Sequence, residues 1–99
     1  MSYTVRLSTA AQQDIDTLLD YLVPNAGEAI ARAYIARLHA FLRGFDTFPK
    51  RGTVRSDHRP GLRVVGFERS VSVAFVVEDD SVIILRIFNR GQDIRFEDQ

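Results

Sequence analysis

Between Leu7 and Phe45 the apolar residues recur every three or four positions, whereas from Leu62 onward they recur at every second one. That change of period limits the chain to a fold in which helices cover a sheet. Leu7, Ala11, Ile15, Leu18, Leu19 and Leu22 mark one face of a helix running from about Thr9 to Leu22, with Ser8 or Thr9 as its cap and Thr9 and Gln12 at capping-box spacing. Pro24-Asn25-Ala26-Gly27 breaks the pattern, and Asn25 with Glu28 repeats the capping spacing. Ile30, Ala33, Tyr34, Arg37, Leu38, Phe41, Leu42 and Phe45 then continue a second stripe. Two amphipathic helices joined this closely predict an antiparallel helical hairpin.

The period-2 segments supply the cover. Tyr3, Val5 and Leu7 alternate with Thr4 and Arg6, predicting an N-terminal strand. Gly44 and Pro49 end the second helix, and Lys50 to Gly61 reads as an irregular loop. Three strands follow, Leu62 to Phe67, Val71 to Val77 and Val82 to Phe88, the last two joined by a turn at Glu78-Asp79-Asp80-Ser81. Val71, Val73, Phe75 and Val77 are expected to face the helices. The third strand is apolar on both sides: Ile83, Leu85 and Ile87 are assigned to the core, and Val82, Ile84, Arg86 and Phe88 to the opposite face, so the strand reads as central. The expected fold is α+β: one domain spanning residues 1–99, with an N-terminal strand and an antiparallel helical hairpin packed on a twisted antiparallel β-sheet.

Ninety-nine residues with 45% hydrophobic content are enough for one core without covalent staples. With no cysteine there is no disulfide framework or thiolate metal site, and His39 and His58 stand too far apart to suggest a zinc centre. No dinucleotide or phosphate-loop fingerprint is present, so no cofactor and no metal are expected. The start Met1-Ser2-Tyr3-Thr4-Val5-Arg6 lacks the features of a secretory leader, and no run approaches the roughly 20 apolar residues of a membrane span. A cytoplasmic location without membrane contact is the expectation.

A formal net charge of zero conceals an uneven distribution. Residues 50–70 hold six basic side chains, Lys50, Arg51, Arg55, Arg59, Arg63 and Arg69, against Asp57 and Glu68. From Glu78 onward the balance is acidic. Arg51, Arg55, Arg59 and Arg63 offer planar forks to phosphates or carboxylates, or else form a solvated loop paired within the molecule. Arg86, inside an apolar strand, requires a carboxylate partner, Asp93 or another, or an unsealed face around Val82, Ile84 and Phe88 that serves as a groove. Hydrolytic templates are not met: His39 lies among helix positions and His58 in a loop, neither beside a nucleophile. His58, Tyr34 and the arginines would be the parts available to a metal-independent ribonuclease.

Taken in order, Phe48-Pro49-Lys50-Arg51-Gly52-Thr53, Arg55, Gly61-Leu62-Arg63, a Val-Ala-Phe-Val-Val strand, Ile84-Leu85-Arg86-Ile87-Phe88 and Gly91-Gln92-Asp93 resemble the RelE/ParE toxin superfamily over nearly the whole chain. The resemblance implies a small toxin neutralised by a cognate antitoxin. The superfamily divides into ribosome-dependent mRNA endonucleases and non-nuclease poisons of DNA gyrase. The nuclease branch carries basic groups on its central strands and a catalytic Tyr or His near the C-terminus; here the strand position is Ser72, and Asn89 to Phe96 contains neither Tyr nor His. The resemblance therefore implies the ParE-like branch and no catalytic residue. Arg51, Arg55, Arg59 and Arg63 are expected to bind the target, and Val82, Ile84, Arg86 and Phe88 to form the antitoxin groove. An mRNA interferase acting on the ribosome, and a non-toxic antitoxin-binding remnant, are the alternatives.

Overall fold

Ser8 ends one element and starts the next. Its side-chain oxygen accepts the Ala11 N–H at 3.0 Å, capping a helix that follows directly on the first strand. In the computed structural model, which describes residues 2–55, 59–68 and 71–89, the chain runs β1 (Thr4–Leu7), α1 (Thr9–Ala26), α2 (Glu28–Arg43), a 3-10 turn (Gly44–Asp46), β2 (Thr53–Val54), β3 (Arg63–Phe67), β4 (Val71–Glu78) and β5 (Ser81–Asn89). The strands form one sheet in the order β1-β5-β4-β3-β2. As expected, a helical hairpin covers a sheet in an α+β domain.

The helices are joined more tightly than the sequence pattern suggests. α1 does not stop at Leu22 but carries Pro24 in its last turn and ends at Ala26. A proline there costs one backbone bond at an exposed end rather than breaking a ladder. Asn25 Nδ2 donates to Tyr21 O at 2.6 Å, and Gly27, at φ +93°, donates its N–H to Val23 O at 2.9 Å. Gly27 also receives the first bond of α2, from the Ala31 N–H at 3.0 Å, so one glycine ends one helix and begins the next. The Asn25–Glu28 capping box does not form. Glu28 instead accepts from Arg32 Nε at 2.9 Å, one turn on.

Ala11, Ile15 and Leu18 of α1 and Leu38 and Leu42 of α2 pack with Phe45 onto Val71, Val73 and Phe75 of β4, the face expected from their alternation. Phe45 and Phe75 meet edge to face at 4.7 Å. Ile30, read into the α2 stripe, stands 64% exposed at the start of that helix.

Two features of the sheet differ from expectation. β1 pairs parallel with β5, Thr4 opposite Ser81 and Leu7 opposite Ile84, so the sheet is mixed. A parallel neighbour needs a long crossover, and the helical hairpin with the three intervening strands provides it. The second difference is a β-bulge. Ala74 pairs with Arg86 but Phe75 pairs with Ile84, which leaves Leu85 as the extra residue. Before the bulge Val82 and Ile84 face the helices, and after it Ile87 does; all three belong to the helix-side core. Ile83 and Leu85 instead pack with Leu62, Ala74, Val76 and Phe88 on the far side. Simple alternation across Val82–Phe88 therefore assigned Val82, Ile84, Ile83 and Leu85 to the wrong faces.

Candidate functional site: a basic sheet edge and an arginine clamp

The segment after α2 is organised by Arg51. Its Nε donates to Phe48 O at 2.8 Å and its Nη2 to Gly44 O at 3.3 Å, tying the loop to the turn that follows α2. The guanidinium lies 4.6 Å from the Phe45 ring centroid and 5.5 Å from that of Phe41. Gly52 follows at φ +78°, where a Cβ would meet Val64 O at 2.3 Å, so only glycine lets the chain press this closely on β3. These contacts draw Thr53 and Val54, read as part of an irregular loop, into register with Val64 and Arg63 as β2.

Of the four arginines expected at a target surface, Arg51 is partly buried and braces this segment against the turn after α2. The other three lie along one edge of the sheet rather than on one face. Arg63 stands opposite Val54 and Phe75 and shares the helix-side parity of Val65 and Phe67. Arg55 donates its N–H to Leu62 O at 2.6 Å, which gives it the parity of Leu62 on the far face. Arg59 is exposed, and its carbonyl accepts the Leu62 N–H at 3.0 Å. Basic groups therefore flank the outer edge from both sides. His58 lies outside the described residues.

The residues expected to form the antitoxin groove fall on different faces of the sheet. Val82 and Ile84 are fully buried beneath the helices and line no groove, because the bulge reverses their parity. Arg86 and Phe88 do share a face, with the guanidinium 5.3 Å from the Phe88 ring centroid. Arg86 has a carboxylate partner that the sequence reading did not name. Asp14 of α1 accepts from Arg86 Nε at 2.8 Å and Nη2 at 3.1 Å, and the same carboxylate accepts the Ile87 N–H at 2.8 Å. The pairing raises the Arg86 pKa above its ordinary value: hydrogen bonding to Asp14 outweighs the opposing effect of burial, and the attraction of the two charges adds to it. β1 ends at Leu7, so this clamp takes over the edge of β5 where β1 leaves it, next to Ser8, which donates its N–H to Ile84 O and its hydroxyl to Leu85 O. The signal for Asp14 was helical spacing: it lies three residues after Ala11 and four before Leu18, on the buried stripe. Asp93, the partner considered by name, lies outside the described residues.

A further clamp joins α2 to the end of β3. Arg37 donates to both carboxylate oxygens of Glu68, at 2.8 and 3.0 Å. That hydrogen bonding, aided by charge attraction, holds the Glu68 carboxyl below its ordinary range against a smaller opposing effect of burial. An open cleft of about 400 Å³ lies beside β1, lined by Leu7, Gln12, Ile15, Asp16 and His39. No helix among the described residues is long and apolar enough to cross a membrane.

A helical hairpin over a five-stranded mixed sheet of this order is the fold of the RelE/ParE class of proteins. Residues 5–94 match the family model of the ParE toxin of the type II parDE system, and the chain belongs to that family. It is 32% identical over 76 residues to Toxin ParE3 of Caulobacter vibrioides, covering 77% of this chain and 75% of that protein. Its fold is similar to a chain of the chromosomal ParDE system from P. aeruginosa, with TM-score 0.77 and 24% identity over 89% of this chain and 96% of that one. It is also similar to a chain of the RelBE2 toxin-antitoxin complex of Mycobacterium tuberculosis, with TM-score 0.66 and 21% identity over 93% and 95% of the two chains.

Proposed function

We propose that this ParE-family toxin inhibits DNA gyrase by protein–protein contact, through the basic edge carrying Arg55, Arg59 and Arg63, and that a cognate antitoxin neutralises it by binding. The observation that carries the reading is the ParE family match over residues 5–94. Ser72 supports it. At the strand position where the resemblance places a nuclease arginine, this chain has a serine set between Gly66 on β3 and Phe88 on β5. None of those three residues carries a group that exchanges a proton near neutrality, and one missing acid–base group costs about 10²- to 10⁴-fold in a proton-transfer reaction.

The deciding experiment adds the purified chain to gyrase supercoiling and, separately, to a translating extract. Inhibited supercoiling with intact mRNA is the expected result. Cleavage of ribosome-bound mRNA that disappears with Arg63→Ala would replace this reading with that of an mRNA interferase. Induction without growth arrest would leave a non-toxic remnant. Rescue of arrest by the product of an adjacent short acidic reading frame tests the antitoxin separately.

A further inference from the structure

The cleft beside β1 takes no part in the toxin reading. It holds about 400 Å³, the size of a small-ligand site, and its apolar lining is drawn inward: Ile15 is 6% exposed and Leu7 half-buried. Gln12 gives its side-chain N–H to Leu7 O at 3.4 Å, which leaves Oε1 to accept. Asp16, one turn further along α1, is exposed and forms no ion pair among the described residues. His39 borders the cleft from α2 and adds a ring nitrogen.

The charge around these acceptors is one-sided. α1 carries Asp14, Asp16 and Asp20 and no basic residue. Asp14 is turned to the sheet, where Arg86 and the Ile87 N–H use it. Among the described residues no Lys or Arg lines the cleft, and Arg43, one turn after His39 on α2, is exposed without an ion pair to Asp16. An anion is repelled here, and a neutral apolar molecule would leave the carboxylate partly desolvated and unpaired. What fits is a cation that carries several N–H donors on a short aliphatic stem.

We propose that this cleft binds the primary ammonium group of a small aliphatic amine. The ammonium donates to the Asp16 carboxylate and to Gln12 Oε1, its third hydrogen turns to His39, and the methylenes lie on Leu7 and Ile15. One charge-assisted contact with a short stem corresponds to roughly millimolar binding. β1 and β2 are the two outer strands of the sheet, so an amine in this cleft and a partner on the basic β2 edge can be held together. The inference does not depend on the gyrase reading.

The test follows the backbone and side-chain amides of the full chain by heteronuclear NMR as n-butylamine is added at constant pH and ionic strength. Saturable shifts centred on the Gln12 side-chain amide and the Asp16 and His39 amides are expected. n-Butylamine should bind at least about fivefold more tightly than methylamine, because its extra methylenes reach the apolar lining. Asp16→Asn, isosteric and exposed, should weaken binding by about tenfold or more without loss of the fold. Putrescine and Nα-acetyl-lysinamide then separate the two sources of such a group, a free amine and a lysine side chain of a protein; the one that saturates these residues at lower concentration identifies the source. Shifts that do not saturate, equal affinity for methylamine and n-butylamine, or wild-type affinity in a folded Asp16→Asn chain each overturn the proposal. So does Zn²⁺ saturating the same residues while amines leave them unmoved. All of these outcomes leave the toxin-antitoxin reading standing.

Discussion

Replacing Asp14 with alanine removes the carboxylate that accepts from three donors: Arg86 Nε, Arg86 Nη2 and the Ile87 N–H. The side chains of Arg86 and Asp14 are 27% and 16% exposed, so water can re-solvate the guanidinium in part but reaches the carboxylate position poorly. A fully buried pair broken on one side costs about 3–5 kcal/mol, and partial exposure of the arginine brings this down. The orphaned amide of Ile87 alone accounts for about 1–3 kcal/mol. We therefore expect D14A to destabilise the fold by about 2–3 kcal/mol, which lowers Tm by roughly 10–20 °C in a domain of this size. Asp14→Asn keeps an oxygen that can accept the Ile87 N–H and loses only the charge, and should cost about half as much. Urea unfolding at pH 7, with midpoint and slope compared across the three proteins, reads both values. A D14A unfolding free energy within about 0.5 kcal/mol of wild type, or a D14N chain as unstable as D14A, would refute the edge-clamp account.

Gly52→Ala places a Cβ against Val64 O in a left-handed backbone, and is expected to cost more than about 2 kcal/mol by thermal melting. Arg51→Ala loses two carbonyl bonds and its stacking on Phe45 and should cost about 1–2 kcal/mol, with Arg51→Lys recovering little because an ammonium lacks the planar fork. The Glu68 carboxyl is held below its ordinary 4.5 by Arg37, so the stability from this pair is present above that pH and is lost as pH falls through the lower folded value. Comparing the pH profiles of wild type and Glu68→Gln between pH 3 and 7 checks the sign: the two should converge toward the acid end. Arg59→Ala, at an exposed loop position, should leave stability within about 0.5 kcal/mol of wild type and, under the proposed gyrase contact, weaken inhibition of supercoiling.

The helices and β4 were legible in the sequence because each has one buried face, and their apolar spacing records it directly. β5 was not. It is apolar on both faces, so nothing in Val82 to Phe88 marks the point where Leu85 bulges and the pattern changes sides. The same kind of ambiguity hid the parallel pairing of β1, since alternation along Tyr3 to Leu7 specifies a face and not a neighbour. At the candidate site, composition located the basic segment but could not show which of its arginines braces the fold. Arg51 and Arg59 look alike in sequence; only the carbonyls of Gly44 and Phe48 and the rings of Phe41 and Phe45 distinguish the first. Asp14 was missed because an acidic residue on an apolar stripe reads as an interruption, when here it is the group that seals the end of the sheet.

The position of β1 sets a timing rule for synthesis. Among the described residues β1 has no strand neighbour until β5 exists: Ser8 must wait for Leu85, 77 residues further along, before its hydroxyl finds a carbonyl. Such distant pairings form late, because the intervening loop has to close before any contact rewards it. A nascent polypeptide emerging from the ribosome would leave this strand without its sheet neighbour until β5 has been made.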